Sequence, residues 1–164
     1  MRLSRLWYYL ELFSLASGLL EERIISFDDS DEASVPLHDA SIVYSADDPI
    51  GLEIAVTSLA DDLEAITGTR PPVIKVGDGN STRCAKCGDN AIIAATVGSQ
   101  VIKSLVRDGK LDVSSIEGKW ESYQTSTVDD ALPGVKKALV IVGSDKRGAM
   151  FGVYTLSEQC GQSP

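Results

Sequence analysis

One histidine, three cysteines and 6% aromatic residues leave this 164-residue chain with few of the side chains that usually carry chemistry. A Ser-His-Asp triad needs a histidine near a recognisable nucleophile signature, and His38, in a predicted loop, has none around it. A closed zinc site needs four ligands, usually as two pairs. Cys84-Ala85-Lys86-Cys87 supplies one pair, Cys160 falls in a predicted helix, and there is no second pair. No metal is therefore expected. In an exported chain the C-x-x-C spacing favours a local Cys84–Cys87 disulfide, with Cys160 a small buried apolar residue. A small redox or metal protein built on the same pair is the alternative.

Positive charge is also scarce. Fifteen Lys and Arg against 24 Asp and Glu give a net charge of −9, so no positive field exists to exchange counterions with a phosphate backbone, and nucleic acid is excluded as a partner. No run approaches the roughly 18 to 20 apolar residues that a membrane span requires. Neither a G-x-G-x-x-G nor a Walker spacing occurs: Gly143 and Gly148 enclose four residues, but no Gly-Lys-Ser/Thr follows. No nucleotide or other cofactor is expected.

What remains is ordinary globular material, 43% hydrophobic and 24% charged, and enough for one core. Residues 1–20 place Arg2 and Arg5 before an apolar stretch, Leu6 to Leu15, and the small residues Ala16-Ser17-Gly18. That order fits a secretory leader, which Glu11 interrupts, or else an amphipathic N-terminal helix. Asn80-Ser81-Thr82 is a glycosylation acceptor at Asn80 in a Gly-rich loop. Together these predict a secreted protein whose folded part is residues 21–164.

Strands are predicted at Arg23–Phe27, Ser41–Tyr44, Val73–Val76, Ala91–Val97 and Ala138–Val142, with an exposed or edge strand at Glu121–Val128. The acidic stretch Asp28 to Pro36 and the polar stretch Gly77 to Asn90 are loops, and Leu111 to Lys119 is a connector. Asp47-Asp48-Pro49 predicts a helix start with an acidic cap, after which Leu52, Val56, Leu59, Leu63 and Ile66 share a face as far as Gly68. A second helix spans Ser99–Arg107, with Val101, Ile102, Leu105 and Val106 facing the sheet. The third, Ala149–Cys160, presents Met150, Val153, Tyr154, Leu156 and Cys160 at helical spacing, its first turn capped by Ser144 or Asp145. The pattern is an α/β fold, a mixed sheet with helices packed on it.

Ser144-Asp145-Lys146-Arg147-Gly148 is the stretch with the look of a site. It joins a strand end to a helix N-terminus, where backbone N–H groups and basic side chains can converge on an anion. Gly148 suits a positive φ or close packing. Trp120 and Tyr123 could form a platform for a sugar ring, or pack beneath the edge strand. Of the carboxylate pairs Asp61-Asp62 and Asp129-Asp130, the first lies on a predicted helix, where adjacent residues do not meet on one substrate, and neither identifies a catalytic acid and base.

Three stretches, LDVSSIEGKWESY from Leu111, LPGVKKALVIVGS from Leu132 and GSDKRGAMFGVYTLSEQCGQSP ending at Pro164, resemble, in that order, the N-terminal domain of the glycoside hydrolase family 115 xylan α-1,2-glucuronidases. The resemblance runs from about Ser41 to Pro164. It implies an accessory α/β domain of the type found in front of glycosidase (β/α)8 barrels, with the barrel as partner and xylan oligosaccharide as the ligand of the pair. The carboxylic acids for inverting hydrolysis would lie in that barrel, so this chain is expected to hydrolyse nothing alone. In that setting Ser144, Asp145, Lys146, Arg147 and Gly148 either hold the uronic-acid carboxylate at the barrel mouth or form the interface with the barrel. The family's chain continues beyond its Ser-Pro into aromatic-rich sequence where this one stops, which leads to the expectation of a domain separated from its barrel. The other expectation is an α/β interaction or carbohydrate-binding module without enzymatic activity.

Overall fold

The computed structural model describes residues 34–37, 39–77, 84 and 87–161. The proposed leader, the strand at Arg23–Phe27, most of the acidic loop, His38 and the acceptor Asn80 lie outside the described residues.

Five strands form one mixed sheet in the order β2-β1-β3-β5-β4. β1 (Ser41–Ser45), β2 (Val73–Val76), β3 (Asn90–Thr96) and β5 (Val135–Gly143) are parallel, and β4 (Tyr123–Leu132) closes the edge antiparallel to β5. Alternation along the strands fills two cores. Ile42, Tyr44, Ile92, Ala94, Leu139 and Ile141 meet α1 (Ile50–Thr67) and α3 (Lys146–Gly161) on one face. Val43, Ile93, Ala95, Val140 and Val142 meet α2 (Gln100–Arg107) on the other. The connector at 111–119 is part of this second core, because it buries Leu111, Val113 and Ile116 there.

The helices differ from expectation in how they begin and in which residues they bury. The residue before α1 is Pro49, which gives no side-chain cap. Asp47 and Asp48, expected as caps, reach across to β3 and α2 instead. Ile66, Val106 and Tyr154, expected inward, are 48%, 39% and 44% exposed. Small residues take the inward positions: Ala55 and Ala60 on α1, and Ala149 and Gly152 on α3. Gly152 lies where a Cβ would stand 2.5 Å from Ile141 Cγ2, so α3 sits directly on β5.

α3 also starts earlier than predicted, at Lys146 rather than Ala149. Its cap is Asp145, whose Oδ1 accepts from Arg147 N at 2.9 Å and Gly148 N at 2.8 Å. Ser144, the other candidate cap, turns away and accepts from Ser122 N through Oγ. β4 is the expected edge strand but is longer. It runs through an irregularity between Asp129 and Leu132 into a turn at Pro133-Gly134, where Gly134 has φ 100°. Proline followed by a positive-φ glycine is what a type II turn asks for. Among the described residues, no helix is long and apolar enough to cross a membrane.

Candidate functional site

β1 and β3 are neighbours, yet the helices that follow them lie on opposite faces of the sheet. Between the C-terminal ends of two such strands the chain parts and a crevice opens, the usual ligand position in α/β sheets. Here it is a cleft of about 630 Å³, bordered by Asp47 and Pro49 after β1, Thr96 to Gly98 after β3, Trp120 and Glu121 ahead of β4, and Ser144 to Arg147 after β5.

Carboxylates knit the cleft together. Asp48 accepts from Thr96 N at 3.1 Å and from Thr96 Oγ1 at 2.6 Å. Its second oxygen, Oδ2, is buried without a hydrogen-bond partner. Burial outweighs the Thr96 bonds and pushes the Asp48 pKa up. Asp47 Oδ2 accepts from Gln100 N at 3.0 Å, in the first turn of α2, while its Oδ1 accepts from Ser45 Oγ. Asp145 holds the α3 N-terminus and, through Oδ2, Glu121 N at 2.9 Å, and these backbone bonds hold its pKa down.

The loop ahead of β4 is bound to the start of α3 at several points. Ser144 N donates to Ser122 O at 2.8 Å, and the Arg147 guanidinium pairs with Glu121 Oε1 at 2.8 Å. Arg147 also lies 5.9 Å from the centre of the Phe151 ring. Gly148 is where the two segments touch: a Cβ there would stand 2.2 Å from Ser122 O. The segment Ser144 to Gly148 thus meets 120–122, more than twenty residues earlier in the chain. That partner is invisible to local pattern.

Trp120 and Tyr123 do not form one platform. Tyr123 lies on β4, its hydroxyl 3.1 Å from Thr155 Oγ1 and its ring against Gly152. Trp120 is 85% exposed at the cleft rim, with its carbonyl accepting from Ser122 Oγ. Glu121, next to it, has φ 51°, a conformation non-glycine residues rarely adopt.

The remaining candidates lie elsewhere. Cys84 and Cys87 are joined by a disulfide. Cys160 is buried on α3, and burial raises its thiol to about 11. Asp61 pairs with Arg70, and Asp62 accepts from Ser157 Oγ, tying α1 to α3. Asp129 and Asp130 are on the exposed part of β4.

No family model matches the chain, and no curated protein matches it. Among solved structures, it superposes on "A novel family GH115 4-O-Methyl-alpha-glucuronidase, BtGH115A, with specificity for decorated arabinogalactans" with TM-score 0.54 and 20% identity, covering 76% of this chain and 14% of that one. The fold is one that a glycoside hydrolase carries. A second solved structure, "Structure of CpGH84D", aligns over 79% of this chain and 19% of its own at TM-score 0.48 and 12% identity. The chain therefore spans less than a fifth of either neighbour.

Proposed function

We propose that this chain is the non-catalytic α/β domain of a family 115-type α-glucuronidase, which hydrolyses (4-O-methyl)glucuronic acid side groups from xylan or a related polysaccharide. One observation carries the reading. The first and last of the three stretches that resemble the family, from Leu111 and from Gly143, meet at one cleft through the Glu121–Asp145, Ser122–Ser144 and Arg147–Glu121 contacts. The α/β fold of BtGH115A adds support of a coarser kind.

The cleft has no acid and base of its own. Inverting hydrolysis needs two carboxyl groups about 6.5–9.5 Å apart, one to protonate the leaving oxygen and one to activate water. Asp47 and Asp145 spend both oxygens on hydrogen bonds within the fold, and Glu121 is paired with Arg147. Asp48 has the raised pKa of a general acid, but the oxygen without a partner is sealed from solvent. Catalysis belongs to a partner, proposed as a (β/α)8 barrel.

The surface proposed for that partner is on α1 and α3. α1 and α3 lie side by side, and their outer sides expose Ile50 at 70%, Ile54 at 58%, Phe151 at 42% and Tyr154 at 44%. Exposed large apolar residues on neighbouring helices are what a docking face needs. The test is the release of (4-O-methyl)glucuronic acid from glucuronoxylan and from decorated arabinogalactan. The purified 164-residue chain is expected to release none, and turnover by it would overturn the assignment of a non-catalytic role.

The second reading is a carbohydrate-binding module that works without an enzyme. The exposure of Trp120 favours it.

A further inference from the structure

We propose that the cleft at the ends of β1, β3 and β5 binds a neutral pyranose of a polysaccharide, stacked on Trp120, and not the anionic ligand that such crevices usually take. The inference deepens the function proposed above and rests on it for the class of ligand. What disfavours an anion is the set of hydrogen bonds at the starts of α2 and α3.

A crevice at this position in an α/β sheet commonly receives phosphate or carboxylate, because the helix N-termini around it offer unpaired N–H groups. At the starts of α2 and α3 several of those groups are already taken by the protein's own oxygens. Asp145 occupies the N–H groups of Arg147 and Gly148 at the start of α3. Asp47 occupies that of Gln100, and Ser99 Oγ accepts from Ile102 N, at the start of α2. An incoming anion would meet the Asp47 and Asp145 carboxylates at the starts of α2 and α3, and Arg147 is paired with Glu121. Of the two bases considered for a uronate, Arg147 is paired with Glu121 and Lys146 is exposed at the rim.

What the cleft offers instead is an aromatic face beside polar oxygens. An indole 85% open to solvent keeps apolar area in water that a ligand could cover. Its backbone is fixed by the Ser122 Oγ bond to its carbonyl and, one residue on, by the bond from Glu121 N to Asp145, so the ring is borne on an ordered loop. Glu121 is held there at φ 51°, and residues kept in such sparsely populated conformations concentrate at binding sites. A pyranose presents one face of C–H groups to such a ring and a rim of hydroxyls that can donate to the Glu121 carboxylate, without bringing in charge.

Trp7 and Trp120 are the two tryptophans of the chain. The test therefore uses the full chain carrying Trp7→Phe, so that fluorescence reports Trp120 alone. Neutral xylo-oligosaccharide and galacto-oligosaccharide are titrated in parallel with glucuronate and inorganic phosphate, and calorimetry follows the same ligands. The expected result is a blue shift with a neutral oligosaccharide and little response to either anion. Trp120→Ala, which removes an exposed side chain and leaves the circular dichroism spectrum unchanged, is expected to weaken binding about tenfold or more, and Trp120→Phe to recover part of it. No response to any neutral oligosaccharide, equal binding by Trp120→Ala, or preference for phosphate or glucuronate would each overturn the proposal. Failure here leaves the docking of this domain on a catalytic partner untouched, and failure of that docking leaves a measured sugar affinity standing.

Discussion

At the scale of single residues, the cleft is organised by two aspartates whose pKa values move in opposite directions. Asp145 is held down by the N–H groups it accepts from, so its contribution is present above the ordinary carboxylate range and lost as pH falls through its folded value. Asp145→Ala is expected to lower the urea midpoint more near neutrality than in acid, and an equal shift at both would contradict the capping role. Asp48 is pushed up by burial, so its stabilising state is the protonated one and stability is lost as pH rises through its folded value. Asp48→Asn keeps an acceptor for Thr96 and removes the buried charge. The variant is expected to equal or exceed the parent in urea at about pH 7, with the difference shrinking at about pH 3. A marked loss at neutral pH would show that the carboxylate is needed charged. Gly148 admits no side chain, since a Cβ would lie 2.2 Å from the Ser122 carbonyl, a backbone atom held by Ser144 N. Gly148→Ala should cost about 3 kcal/mol or more in chemical denaturation.

At the scale of elements, the strands were the more legible part of the chain. β1, β3 and β5 are buried on both faces, so their continuous apolar runs announce them without needing a period. Helix faces were legible only in part. Apolar spacing places Ile66, Val106 and Tyr154 inward, whereas close packing on the sheet selects Ala55, Ala60, Ala149 and Gly152 and leaves the larger residues outside. The start of α3 was hidden for a similar reason: Gly148 looks like a break, but it is a helical residue where the helix touches the 120–122 loop. Asp47 and Asp48 look like caps of their own helix, and their true partners, Gln100 and Thr96, stand about fifty positions away. The hairpin between β4 and β5 was not foreseen and depends on Gly134, at φ 100° with the Cys84 carbonyl 3.2 Å from any added Cβ. Gly134→Ala is expected to destabilise by about 1–3 kcal/mol in urea, and a neutral result would mean that the turn can change type at no cost.

At the scale of the whole molecule, the described residues present a cleft with an exposed indole at its rim and exposed apolar side chains on α1 and α3. An apolar face of this kind is expected to bind a hydrophobic dye, and Ile54→Lys with Tyr154→Lys to reduce that signal while leaving the unfolding midpoint within about 0.5 kcal/mol of the parent. Dye binding unchanged by both substitutions would place the apolar surface elsewhere. The domain reading also makes a demand outside the 164 residues, because a non-catalytic domain with a docking face implies a catalytic partner. Its most direct test is to read the messenger RNA past the codon for Pro164. The account predicts an open frame continuing into aromatic-rich sequence and a barrel, whose product releases (4-O-methyl)glucuronic acid. A stop codon directly after Pro164 in mature message would contradict it.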